Sequence, residues 1–156
     1  MKIHLISVGT RLPDWAEAGT QEYLKRMPAN CAVQLIEVPA VVRSKTLSVD
    51  RAKAQECDRI EAMIPKGAWR IVCDERGKHW STVGLSAQLG EWLQSGRDVA
   101  LVVGGADGTT PALRATADHL WALSELTLPH PLVRVLLAEQ IYRAWSLLHH
   151  HPYHRA

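Results

Sequence analysis

The side chains best suited to chemistry crowd the C-terminal end of this chain. Four histidines, His149, His150, His151 and His154, stand within the last eight residues, beside Tyr153 and Arg155. Imidazole serves either as a metal ligand or as a proton carrier. No acidic residue or cysteine is spaced with these four as a ligand set, so no metal site is expected. Upstream, Pro129 and Pro131 each fix φ, remove a backbone donor and push the preceding residue toward extended geometry. Residues 127–131 therefore read as a rigid, non-helical loop. Its free amides and carbonyls need partners, which an edge-on adenine or a ligand carboxylate would supply. A third candidate is Gly104-Gly105-Ala106-Asp107-Gly108, where the missing side chains let a ligand approach the backbone. A plain Asp-Gly turn explains those glycines equally well.

Several familiar fingerprints are missing. The glycine run is neither GxGxxG nor GxxxxGK[ST], and no GxSxG elbow occurs, so dehydrogenase, P-loop and hydrolase readings lose ground. Cys31, Cys57 and Cys73 are odd in number and lack metal spacing, and no signal peptide precedes the first strand. These features point to a reducing cytoplasm.

The elements that must position these groups alternate in type. Strands are expected at residues 2–8, 33–38, 69–73, 99–103 and 120–123, the third short and mostly apolar as a buried parallel strand should be. Helices are expected from Pro13 to about Met27, over residues 49–63, from a Ser81 or Thr82 cap to about Gln94, and after the Thr110-Pro111 pair. Asp74, Glu75, Arg76 and Gly77 read as a turn after the third strand. The last helix starts at Leu132, and its few polar positions demand burial on more than one face, either with the protein's own sheet on one side and a second subunit on another or as a core helix in a monomer. The pattern predicts one α/β domain over residues 1–156, with a mainly parallel sheet flanked by helices. Ligands of such a sheet bind beyond the carboxyl ends of the strands.

At 156 residues and 47% apolar composition, the chain is long enough to bury a core and too apolar to be disordered. No apolar run approaches the ~20 residues of a membrane span. The net charge is only +2, so any nucleic-acid contact must come from a local patch. Arg43, Lys45, Arg51 and Lys53 form one candidate, Arg11, Lys25 and Arg26 another, and Arg134 and Arg143 could reach RNA or a partner subunit. The six tryptophans read as core or interface residues rather than base-stacking platforms.

Taken together, GGADG after a buried strand, LTLPHPLVRVLLAEQIYRAWSLL and the terminal HPYHR strongly resemble the ribosomal RNA large subunit methyltransferase H family of the SPOUT superfamily. ISVGTRLPDW and IVCDERGKHW also fit that family, so the resemblance spans essentially the whole chain. It implies an S-adenosylmethionine-dependent enzyme, without metal, that methylates N3 of a pseudouridine in a stem-loop of large-subunit rRNA, within the assembled ribosome. It also implies a homodimer and a C-terminal trefoil knot. Family cofactor contacts map onto Cys73, Gly104, Gly105, Ser124, Glu125, Leu126, Thr127, Leu128 and Pro129. Cys73 stands where a larger aliphatic side chain is expected.

The implied reaction needs a proton acceptor, because the imide proton must leave before N3 attacks a methyl group. His154 is the candidate acceptor, Arg155 the donor to a base carbonyl or phosphate, and Tyr153 a pocket-shaping residue. The competing readings are a non-catalytic RNA- or ribosome-binding protein that keeps the fold, and an α/β enzyme acting on a small nucleotide.

Overall fold

A computed structural model describes residues 1–155. Five strands form one sheet: β1 (Lys2–Val8), β2 (Ala32–Val38), β3 (Trp69–Lys78), β4 (Val99–Val103) and β5 (His119–Trp121). Their order is β2-β1-β4-β3-β5 and every pairing is parallel. Five helices cover it: α1 (Asp14–Leu24), α2 (Val49–Met63), α3 (Thr82–Ser95), α4 (Pro111–Ala115) and α5 (His130–Leu148).

Alternation along the strands divides the core in two. Ile3 and Leu5 of β1, with Val99, Leu101 and Val103 of β4, pack under Leu85, Leu89 and Trp92 of α3 and Leu137 and Ile141 of α5. Ile6 and Val8, with Ala100 and Val102, face Cys57 and Ile60 of α2 and Leu113 of α4. All five residues of β4 are buried, as a strand covered on both faces requires. The helix starts have a local cause. Ser48, Ser81 and Thr110 accept hydrogen bonds from the backbone N–H groups of Arg51, Gly84 and Leu113, each satisfying one orphan donor.

Four expectations need correction. Residues 74–78 do not turn away after Cys73: β3 continues through a bulge until Lys78 pairs with Trp121. Gly77 makes this possible, since a Cβ there would lie 2.5 Å from the Leu120 carbonyl carbon. The final helix begins at His130, with Pro129 as its N-cap and Pro131 inside its first turn, where a missing N–H costs nothing. The first helix ends at Leu24, short of Met27, and β5 is His119–Trp121 rather than residues 120–123.

α5 lies between α1 and α3, and these neighbours take up much of its apolar surface. A Cβ on Gly19 would come within 3.3 Å of Val135, and Ser86 of α3 donates a 2.9 Å hydrogen bond to the Ala144 carbonyl. Two faces of α5 thus find partners in their own chain, while Leu132, Leu136 and Leu147 stay half-buried. Among the described residues no helix is long and apolar enough to cross a membrane.

Candidate active site

A cavity of about 630 Å³ opens where β3, β4 and β5 end. Its walls bring together Cys73, Gly104, Gly105, Ser124, Glu125, Leu126, Thr127 and Leu128, eight of the nine residues assigned to cofactor binding. Pro129 stands just behind as the N-cap of α5.

The two loops meet this cavity differently. Within the glycine loop, Gly108 N–H donates to the Gly105 carbonyl at 3.0 Å, and Gly108 takes a φ of +78°. It is an Asp-Gly turn and a cavity wall at once. A Cβ on Gly104 would meet the Gly108 carbonyl carbon at 2.8 Å, and one on Gly105 would meet Glu56 Oε1 at 2.9 Å. Both glycines are therefore required by the fold itself. The 124–128 loop is unpartnered by contrast. Leu126 N–H donates to Ser124 Oγ at 2.9 Å, and among the described residues the other backbone groups of Ser124, Glu125, Thr127 and Leu128 make no hydrogen bond. Leu126 is 74% exposed at the rim.

Several wall residues escaped the sequence reading. Asp74, treated there as part of a turn, lies on the cavity with Arg76 at 3.2 Å and Arg114 at 3.8 Å. Lys53, read as an RNA contact, also lines it, as does Trp121. His130 passed for a loop residue between two prolines, yet its ring reaches the cavity, with Nε2 3.4 Å from Ser7 Oγ. Burial, with a smaller push from the Arg134 charge, holds its pKa below the usual imidazole value, against the opposing effect of a hydrogen bond to the Val8 backbone. Burial likewise pushes the Cys73 thiol up to about 12, reinforced by Asp74, so it stays protonated at neutral pH and is no nucleophile.

Tyr153, His154 and Arg155 are not among the walls. The tail folds back onto its own helix: Tyr153 Oη donates to Glu139 Oε1 at 2.9 Å, and His154 Nδ1 lies 3.3 Å from Ser146 Oγ. The Tyr153 ring sits 4.7 Å from that of Tyr142 and 6.5 Å from that of Tyr23, with the Arg143 guanidinium 5.0 Å from its centroid. Burial, then the Glu139 hydrogen bond, raises the Tyr153 pKa, which removes its hydroxyl from consideration as a base. Glu139 is two and a half turns beyond His130, about 13 Å along the axis. Within one chain the tail and the cavity are separate.

A family model described as "Predicted SPOUT methyltransferase" matches residues 1–154. Proteins named ribosomal RNA large subunit methyltransferase H are similar along their whole length. The protein of Hydrogenovibrio crunogenus is 54% identical over 155 residues, 99% of both chains, and that of Burkholderia mallei 51% identical over 156 residues, all of both chains. This chain belongs to the ribosomal RNA large subunit methyltransferase H family. Among solved structures, a probable methylase family protein from Haemophilus influenzae aligns with a TM-score of 0.59 at 11% identity, covering 95% of this chain and 66% of that one. A probable methyltransferase from Bordetella pertussis aligns with a TM-score of 0.55 at 14% identity, covering 91% and 93%. Both share the α/β architecture of this SPOUT chain.

Most cations of this methyltransferase-family chain that were offered to RNA are already occupied. Arg43 pairs with the buried Glu56 at 2.6 Å and with Asp107 at 2.9 Å, stapling the 39–48 segment to the glycine loop. Lys25 and Arg26 both hold Glu22, and Arg143 holds Glu139. Arg134 is fully buried, paired with Glu37 at 2.7 Å, and reaches neither solvent nor a partner. Of the histidine cluster, His149 and His151 pack against the Trp145 ring at 4.8 and 5.8 Å. Trp92 and Trp121 fill the core as expected, whereas Trp15 is 57% exposed.

Proposed function

We propose that this chain is an S-adenosylmethionine-dependent methyltransferase of large-subunit rRNA. It acts on N3 of a pseudouridine in a stem-loop, within assembled ribosomes of the cytoplasm. It works as a homodimer of single-domain subunits, residues 1–156, with the C-terminal trefoil knot of its family. The observation that carries this reading is the cavity at the ends of β3, β4 and β5, walled by a 124–128 loop with free backbone groups, in a chain of this family.

Those walls fit the cofactor. Free amides and carbonyls of Ser124, Glu125, Thr127 and Leu128 suit the hydrogen-bonding edge of adenine, while the neutral Cys73 and the Leu128 side chain give it an apolar bed. Gly104 and Gly105 close the wall, and Pro129 fixes the far end of the loop where α5 begins. The bound cofactor supplies an electrophilic methyl group on a sulfonium centre.

The chain's own residues supply orientation, proton acceptance and charge stabilisation. Orientation of the reactants is worth several kcal/mol of barrier. His154 takes the imide proton, a contribution of about 100- to 10,000-fold for a positioned base. Arg155 donates to the carbonyl on which the imidate charge develops, and Tyr153 anchors the segment that carries both. The tail lies away from the cavity of its own chain, which supports delivery to the cavity of a second copy. Ribosomal shape provides much of the specificity, since the chain carries a net charge of only +2.

The test is methyl transfer from labelled S-adenosylmethionine to assembled ribosomes, separate subunits and free rRNA, all lacking the modification, followed by nucleoside mapping. Label on N3 of pseudouridine, strongest with assembled ribosomes, is expected. Label on uridine or on tRNA overturns the substrate assignment. Cofactor binding with no transfer to any of the three substrates makes the chain a non-catalytic ribosome-binding protein instead.

A further inference from the structure

A second cavity, of about 420 Å³, opens beside the first and takes no part in the account above. It lies where β1 and β2 end, and Thr10, Arg11, Glu17, Gln21, Glu37 and Arg134 are among its walls. β1 pairs directly with β4, so two strand spacings, about 10 Å, separate β2 from the edge of the first cavity. The partition between them is thin. A Cβ on Gly9 would lie 3.6 Å from Nε2 of His130, which faces the first cavity, and 3.8 Å from Nη2 of Arg134, which lines the second.

The outer polar residues of this cavity, Thr10, Arg11, Glu17 and Gln21, are exposed. Among the described residues the side chains of Thr10, Arg11, Glu17 and Gln21 make no hydrogen bond or ion pair. Glu37 differs: the fully buried Arg134 donates from Nη1 to its Oε2 at 2.7 Å, while Nη2 of the same guanidinium holds Ser7 Oγ at 3.0 Å and the Gly9 carbonyl at 3.1 Å. One carboxylate oxygen is thereby pinned, while the other, Oε1, makes no hydrogen bond among the described residues, in a side chain that lines the cavity and is 38% exposed. Anchoring α5 to the sheet accounts for the pinned oxygen alone. The same pairing fixes the orientation of the Glu37 carboxylate at the wall of a polar cavity beside the proposed cofactor site.

The size falls within the ~300–1,000 Å³ of small-molecule sites, and an unstacked target nucleotide needs such a place. Uridine and pseudouridine share two carbonyls and the N3–H, but pseudouridine carries an additional N1–H donor. Only an acceptor can read that difference, and a carboxylate is the strongest one available. Building on the reading of the enzyme as a pseudouridine methyltransferase, we infer that this cavity receives the target nucleotide. Glu37, held by Arg134, is the residue that distinguishes pseudouridine from uridine, its Oε1 accepting the N1–H while N3 turns toward the cofactor cavity. Arg11, exposed and unpaired, is placed to meet the nucleotide's phosphate.

The test compares kcat/KM for ribosomes carrying pseudouridine or uridine at the target position, with the wild-type chain, Glu37→Gln and Glu37→Asp. In Glu37→Gln, Arg134 keeps hold of the amide oxygen and the –NH2 group is turned toward N1–H, donor against donor. The wild-type preference for pseudouridine should fall by about tenfold or more, as expected for a hydrogen bond to a charged group. Glu37→Asp keeps the charge opposite Arg134 but withdraws the oxygen, and should give an intermediate preference. Cofactor affinity, measured by calorimetry on each variant, reports whether the fold and first cavity survive. An unaltered preference in Glu37→Gln with intact cofactor affinity overturns the inference, and Glu37→Asp decides it in the same way if the glutamine variant does not fold. Failure of the wild-type chain to methylate either ribosome, despite binding cofactor, overturns the proposed function instead.

Discussion

The two ends of α5 are built on opposite principles. At its N-terminal end the 124–128 loop leaves backbone amides and carbonyls unpaired beside an open cavity. At its C-terminal end four tail side chains have found partners, Tyr153 on Glu139, His154 on Ser146, and the rings of His149 and His151 on Trp145, while His150 and Arg155 are exposed. Unpaired backbone beside a cavity is poised for a ligand, whereas contacts with its own helix fix where the tail lies. Under the proposed function one helix joins a receiving end to a delivering end about 28 Å apart, at 1.5 Å per residue.

The sharpest way to break this comparison is to remove the delivering end alone. Deleting the last four residues should lower methyl transfer by about 100-fold or more, as expected for loss of a positioned proton acceptor. Cofactor affinity by calorimetry and subunit association by sedimentation should be retained. A parallel loss of cofactor affinity would mean that the two ends are not separate.

At the receiving end, Gly77→Ala forces a Cβ against the Leu120 backbone, where β3 bends past β5. It should cost about 1–3 kcal/mol of stability, typical of overpacking, and weaken cofactor binding by distorting the chain beside Cys73 and Ser124. Denaturant melts and calorimetry check both effects. Tyr153→Phe is a smaller perturbation, since the ring stays among Tyr23 and Tyr142 while the bond to Glu139 is lost. About 1 kcal/mol of tail docking should go with it, visible as faster amide exchange in the tail and a few-fold change in turnover.

The smallest effect is on pH dependence. His130 has a lowered pKa in the folded chain, so the unfolded state binds the proton more readily. The contribution of this group is complete above the ordinary imidazole value of 6.5 and is lost as pH falls from there through the lowered folded value. Melts of His130→Gln should show a shallower fall in stability over that interval than the wild-type chain.

How much of this was legible in the sequence depended on how local the cause was. α2 (Val49–Met63) and β4 (Val99–Val103) matched their expected bounds, because a serine cap, a closing Pro65 and a run of five apolar residues are written within the segments themselves. The extension of β3 through DERGK was not legible, since it depends on Gly77 passing the backbone of a strand 43 residues later. The start of α5 was misplaced for a related reason. Two prolines read as a rigid loop, and only the folded chain distinguishes a proline before a helix from one inside its first turn.

The candidate site divides in the same way. Its loops could be found from strand order and glycine content, and eight of nine assigned cofactor residues do line one cavity. Asp74, His130 and Arg114 were missed because their neighbours come from distant parts of the chain. Arg43 and Arg134 looked like surface cations until their buried partners, Glu56 and Glu37, came into place. The direction of the tail was equally hidden, because HPYHR carries its chemistry in its residue types and its position only in the contacts with α5.

Mixed dimers test the central claim most directly. One chain carries Thr127→Trp, which fills the cavity but keeps the tail, and the other lacks the last four residues but keeps the cavity. Each variant alone should be inactive toward ribosomes. The account predicts that mixing them restores methyl transfer, because the intact tail of one subunit serves the intact cavity of the other. Mixed dimers that form yet remain as inactive as the separate variants would contradict it.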